Sequence, residues 1–376
     1  MKVVLFCHSL ASCWNHGNAH FLRGIARELL CRGHRVRAFE PANGWSRANL
    51  ARDHGTEALE QWRRAYPELA TKTYAGALPD LDAALDGAGL VLVHEWSTPE
   101  LIAALGRRRT AGGRFVLLFH DTHHRAVTDP GALSAVELDG YDGVLTFGAV
   151  LKQRYLAAGW ARHVWVWHEA ADTSVFRPLP EVETTGDLVW IGNWGDGERS
   201  AELSQFLLEP ARQLRLRGSV HGVRYPAGAL EAVRGSGLAY RGWLPNHRVP
   251  EAFARHRVTV HVPRRPYSKA LRGIPTIRVF EALACGMPLV SAPWDDVEGL
   301  FPAGCFLMAR DRAEMARHLR QLLHEPALRM ELGARGLEAI RSRHTCAHRA
   351  AQLLAIHAAL RGSGGEIPRA EAGECA

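Results

Sequence analysis

Short apolar runs punctuate the chain, each followed by a polar turn and then by a stretch whose apolar residues return every third or fourth position. Lys2 to His8 reads as a buried strand and Ser9 to Asn18 as a loop. An amphipathic helix is expected from about Ala19 to Arg32, stopped at Gly33-His34 before a strand from Arg35 to Phe39. Strands follow at Leu90 to His94, Arg114 to His120 and Gly143 to Phe147, with a helix from Pro99 to Arg109 between the first two. A helix from about Leu151 to Ala158 leads to a strand through Val164 and Trp167. After Pro178-Leu179-Pro180 and the polar run Glu181 to Gly186 the cycle restarts, with strands at Asp187 to Ile191, Ser219 to Val223, Leu238 to Tyr240 and Val258 to Val262. Thr345 to Arg361 is a last amphipathic helix. Alternation of this kind predicts mostly parallel sheets flanked by helices, with ligands beyond the carboxyl ends of the strands.

Composition adds bounds. The 376 residues, 47% hydrophobic and 23% charged, suffice for two cores. A net charge of +7 arises from 46 Lys plus Arg against 39 Asp plus Glu, and the two signs are interspersed, which argues against a nucleic-acid partner. Seven cysteines without a C-x-x-C pair argue for reduced thiols. No run approaches the roughly 18 apolar residues of a membrane span, and the amino terminus enters a strand at once instead of forming a signal peptide. A soluble, cytoplasmic chain without an integral membrane segment is expected, with a disordered tail from Gly362 to Ala376.

The most informative stretch runs from Gly273 to Ser291. It places Arg278 and Glu281 three apart on a short helical segment, closes that segment at Gly286, and follows with the apolar strand Pro288 to Ser291. A helix entered from a Gly/Pro turn points backbone N–H groups at an anion such as a phosphate, and a carboxylate one turn further in can accept from ribose hydroxyls. The plainer alternative is a solvated ion pair on an amphipathic helix.

The stretch resembles the donor-site signature of the group 1 nucleotide-sugar glycosyltransferases of GT-B fold, and more closely their spore-maturation-protein-like branch. The resemblance extends to about Arg361. It implies an α/β chain of two Rossmann-like domains facing across a cleft: residues 1–177 for the acceptor, 186–344 for the donor, and a helix at 345–361 crossing back to the first. Asp142 to Phe147, Tyr155 and Glu169 to Pro178 resemble the inter-domain crossing. The donor-binding residues implied are Gly17 and Asn18 in the opening loop, Gly192, Asn193 and Arg199 after the first strand of the second domain, and Trp243 and Leu244 at the base. Arg272, Ile274, Pro275, Thr276, Arg278 and Glu281 in the signature complete the set. Arg264, Arg265 and Lys269 precede the signature, and one or two of them are expected at the phosphates. Arg199 has a plainer alternative as a solvated arginine at a helix start.

His120 matches a position where the family places a histidine near the donor sugar, and Asp121 beside it could orient the imidazole or act as a base. Neighbours on a strand point to opposite sides, so one of the two is expected to face away. Zinc at His120, His123 and His124 with Asp121, or at His344, Cys346 and His348, is a weaker alternative, since spacing supplies no convergent partners or full ligand set. No metal and no cofactor are expected. Retaining members carry two glutamates separated by seven residues, the first touching the donor sugar. Counting back from Glu281 lands on Gly273, so the sugar-reading carboxylate is missing and the stereochemical outcome is left open. The expected activity is transfer of a sugar from a nucleotide diphosphate sugar to a hydroxyl acceptor, which the loops Glu40 to Leu78 and Arg125 to Leu138 would read. A nucleotide-sugar epimerase, a phosphorylase or a non-catalytic binding module are the alternatives.

Overall fold

The computed structural model describes residues 1–362, so the tail expected at 362–376 lies, apart from Gly362, outside the described residues. Two compact units divide the chain. The first joins Met1–Glu169 to the helix Cys346–Gly362, and the second spans Ala170–Thr345.

In the first unit seven parallel strands are ordered β3-β2-β1-β4-β5-β6-β7: β1 Lys2–Phe6, β2 Arg35–Pro41, β3 Thr71–Tyr74, β4 Ala88–His94, β5 Val116–Asp121, β6 Gly143–Thr146 and β7 Val164–Val166. Every residue of β1 and β5 is buried, as strands covered by helices on both faces should be. The final helix returns to this unit. Trp167 Nε1 donates to the Arg349 carbonyl (2.9 Å), Arg349 Nε to the His168 carbonyl (2.9 Å) and Gln352 Nε2 to the Val166 carbonyl (2.9 Å).

The second unit repeats the order with six parallel strands, β10-β9-β8-β11-β12-β13: β8 Gly186–Ile191, β9 Gly218–His221, β10 Ala239–Gly242, β11 His256–His261, β12 Leu289–Ser291 and β13 Leu307–Met308. Its core gathers Leu188, Trp190, Val220, Val258, Val260, Val290 and Leu319. In each unit the order reverses beside the first strand, between β1 and β4 and between β8 and β11. A crevice opens there at the carboxyl edge of a doubly wound sheet.

Residues 40–78, expected as a loop, hold the helices Trp45–His54 and Glu57–Ala65 and the edge strand β3. Residues 125–138 hold the short helices Arg125–Thr128 and Pro130–Ser134. Among the described residues no helix is long and apolar enough to cross a membrane.

Candidate functional site

At the reversal in the second unit, the loop after β8 brings Gly192 and Asn193 beside the residues that follow β11. Tyr225 fixes this loop, accepting from Trp190 Nε1 (2.9 Å) and donating to the Gly192 carbonyl (2.8 Å). Arg199 is not solvated: it is 8% exposed. Its Nη1 donates to the Val262 carbonyl (3.1 Å), its Nη2 to both oxygens of Asn193 (2.8 and 2.7 Å), and its guanidinium lies 5.1 Å from the Trp190 ring centre. Burial and then repulsion from Arg264 pull its pKa down to about 10, and Arg278 acts in the same sense. Arg264 donates to Asn193 Oδ1 (3.0 Å) and to the Glu198 carboxylate (2.6 Å). Arg199, Arg264 and Arg278 thus act on one another at one edge, with Glu198 and Glu281 offsetting two of the charges and a net positive balance left for an anion. His261 ends β11 in the same neighbourhood, its Nδ1 2.8 Å from Ser291 Oγ and its buried Nε2 without a partner. Burial and the nearby Arg199 hold its pKa down to about 3.

The signature helix forms at Ile277–Ala284, and the Thr276 side chain leaves its first turn uncapped. Gly286 (φ +63°) ends it in the left-handed conformation that glycine tolerates. Arg278 donates to the Glu281 carboxylate on one face, as the spacing requires, but the pair is not solvated: the side chains are 16% and 0% exposed. Ile274 and Pro275 are buried, and the exposed Arg272 pairs with Asp295 (2.8 Å). Gly273 has φ +92°, and a Cβ there would stand 2.8 Å from Val297 Cγ2 and 3.2 Å from Glu298 Oε1. No glutamate fits that backbone without rearrangement. Gly273→Ala is expected to cost about 1–2 kcal/mol in denaturant unfolding, and an unchanged midpoint would show that the turn relaxes freely.

Trp243 and Leu244 follow β10, and Leu244 lines a groove with Arg248, Glu251 and Arg255 that reaches Gly186, Gly218 and His256 towards the amino ends of three strands. Gly17 and Asn18 belong to the first unit, where Asn18 Nδ2 donates to Glu169 (3.0 Å).

In the first unit the corresponding edge is built on a buried carboxylate. Glu40, at the end of β2, accepts from Ser9 Oγ (2.7 Å) and from the backbone of Leu10 and Ala11 (2.7 and 3.2 Å), while Arg23 donates to the Leu10 carbonyl (2.7 Å). The loop after β1 is thereby tied down. His94 and His120 are register partners on β4 and β5, so their rings meet at 5.6 Å. His16 lies 5.8 Å from His94, and His8 lies 5.2 Å from His16.

His120 and Asp121, expected at an open crevice, are both fully buried. The His120 ring packs 4.8 Å from Trp167 and 5.9 Å from Phe21, with no hydrogen-bond partner for either nitrogen, and burial holds its pKa down to about 3. Asp121 points elsewhere, as strand alternation demands, accepting from Tyr155 (2.9 Å) and from the His123 backbone (3.1 Å). Beside it Glu95 accepts from Thr122 (2.8 Å) and Arg125 (3.2 Å), and burial, then Asp121, raises its pKa well above the ordinary carboxylate range.

No group of three or more His, Cys, Asp or Glu residues converges as a metal site among the described residues. In Asp80-Leu81-Asp82, Asp80 caps a helix through Ala83 N (3.1 Å) and Asp82 pairs with Arg108 (2.8 Å). His344 Nε2 lies 2.8 Å from the Leu300 carbonyl.

Residues 199–355 match the model of a glycosyl transferase-like family. The chain carries a glycosyl transferase-like segment on a GT-B fold. Sucrose-phosphate synthase from Thermosynechococcus elongatus is similar to it with TM-score 0.66 and 16% identity, covering 97% of this chain and 100% of that one. T4 phage BGT in complex with UDP and Mn2+ is similar with TM-score 0.60 and 13% identity over 96% and 99% of the two chains. Anabaena HepE in complex with UDP and glucose is similar with TM-score 0.64 and 13% identity over 94% and 98%. At these identities the likeness of the solved structures is one of fold. No curated protein matches the chain significantly. Together the glycosyl transferase-like match and the GT-B fold support sugar transfer.

Proposed function

We propose that the chain moves a sugar from a nucleoside-diphosphate donor on its second unit to a hydroxyl acceptor on its first, as a member of the spore-maturation-protein-like branch that its signature resembles. The observation that carries this reading is the convergence of Arg199, Arg264 and Arg278 at the strand-order reversal, inside the segment that matches the glycosyl transferase-like model. The bond from the anomeric carbon to the diphosphate oxygen breaks with its electron pair, and the acceptor oxygen forms the new bond at that carbon. The guanidinium groups and the uncapped turn at Thr276 stabilise the charge that gathers on the diphosphate.

We assign uptake of the acceptor proton to His123, half-buried beside Trp96 with its backbone fixed by Asp121. In this reading the covered residues His120 and Asp121 position that turn. In this reading the arginines and the uncapped turn take the place of a divalent cation, and activity is expected to survive chelation. A cytoplasmic setting fits the thiols of Cys7, Cys285 and Cys305.

The test is a thermal-shift panel of UDP, GDP, ADP and dTDP, followed by transfer assays in excess chelator. A ligand at about 100 times its Kd adds about 2.7 kcal/mol of stability. Stabilisation by none of them would sink the reading, and activity lost on chelation and restored by Mn2+ would overturn the metal-independent part. Turnover of the donor without an acceptor, giving an epimer instead of a transfer product, would favour the epimerase.

A further inference from the structure

The carboxyl edge of the first sheet, at the reversal between β1 and β4, carries two tryptophans that the fold has not buried. Trp45 is 45% exposed and Trp96 43% exposed, among very few large apolar side chains in that state. They come from separate segments, Trp45 beyond β2 and Trp96 beyond β4, yet both rings stand 6.4 Å from the ring of His8, which follows β1. Each indole has a close neighbour that fixes its position. Trp14 meets Trp45 edge-on at 5.0 Å, while Arg125 lies 4.7 Å from the centre of Trp96 and His123 meets its edge at 5.0 Å. Ser46 N donates to His8 Nε2 (3.3 Å), which leaves Nδ1 as the donor of the ring. His16, behind His8, buries an Nε2 without a partner.

We infer that this edge is a saccharide-binding site, so that the acceptor of the proposed transfer is itself a carbohydrate. The inference rests on that reading of the chain as a sugar-transferring enzyme. A pyranose has apolar C–H faces and a rim of hydroxyls. It needs flat aromatic surfaces with polar groups between them, and the edge offers Trp45 and Trp96 separated by His8, with Arg125 alongside. An acyl chain would need a continuous apolar trough, which the imidazole interrupts. The Glu40 and Arg23 hydrogen bonds hold the His8 to Ala11 loop in place before any ligand arrives, so little ordering entropy opposes binding.

The full-length protein is titrated with methyl glucoside, methyl galactoside, methyl mannoside and maltose, read by saturation-transfer NMR in saturating UDP, with poly(dT) and dodecanol as the competing classes. At least one glycoside is expected to bind. Trp45→Ala and Trp96→Ala should each weaken it at least about tenfold, while Trp45→Phe and Trp96→Phe retain it within about threefold, and UDP affinity stays within about twofold. The proposal falls if no glycoside binds, if binding ignores both tryptophans, or if poly(dT) or dodecanol takes the site instead. The phenylalanine variants guard against a fold lost at Trp45. Failure of UDP to bind the wild-type chain would strike the proposed function, and glycoside binding at the tryptophans is scored separately from it.

Discussion

Acidification to pH 5 should draw stability from this protein through several imidazoles buried in their neutral form, against an opposing gain from the raised carboxyl of Glu95. Burial holds His120 and His261 down to about 3, and His16 and His94 well below 6.5. In the unfolded chain these rings titrate near 6.5, so between that value and the folded one the unfolded state binds more protons. The stability is therefore fully present above about pH 6.5 and is lost as pH falls towards 3. At pH 5 the linkage costs about 2 kcal/mol for each of His120 and His261, with His16 and His94 adding in the same direction. Against a typical total of about 5–15 kcal/mol each such ring is a sizeable contribution. Urea unfolding at pH 7.5 and pH 5 measures the sum, and because Glu95 pulls the other way the imidazole share is read from a variant that removes one ring.

His120→Leu sharpens the test. Its ring has no hydrogen bond to lose, so the variant should match wild type within about 1.5 kcal/mol at pH 7.5 and recover about 2 kcal/mol at pH 5. The same variant separates support from contact. Substrate contact by His120 would lower turnover at least about tenfold, whereas a positioning role leaves the loss smaller, which is the expected result.

Glu281→Ala carries the other large effect. It strips a fully covered carboxylate from Arg278, and breaking such a pair costs about 3–5 kcal/mol. Arg278 retains some solvent contact, which places the cost near the lower end. Glu281→Gln keeps the shape, so the folded variant reports on binding. Loss of a charged hydrogen bond should weaken UDP by about 1–3 kcal/mol. Uridine tells the two roles apart: a ribose contact lowers its affinity too, while a carboxylate that only orients Arg278 affects UDP alone. UDP affinity unchanged in the folded Gln variant would remove Glu281 from the site.

The strands that build both sheets were legible because they are buried on both faces, so β1, β4, β5 and β8 stand out as apolar runs. β3 reads Thr-Lys-Thr-Tyr at a sheet edge with two of its four residues exposed, and it shows no such run. The helix Trp45–His54 buries only Ser46, Asn49 and Leu50, so no apolar stripe marks it. In the second unit the Arg278–Glu281 spacing led directly to the ion pair, and its burial could be seen only in the folded chain. The first-unit edge was hidden for a different reason. His8, Trp45 and Trp96 lie far apart in sequence, and only the strand order brings them together. His94 meets His120 through strand register, which no local motif records.

Placing a glutamate at position 273 is not a one-step change. The left-handed backbone there penalises any side chain, and Val297 and Glu298 already stand where its first carbon would go. A mutational path towards the two-glutamate pattern would cross a destabilised intermediate, or first shorten the side chains at 297 and 298. The order of substitutions then matters, because trimming positions 297 and 298 first lowers the cost of a side chain at 273.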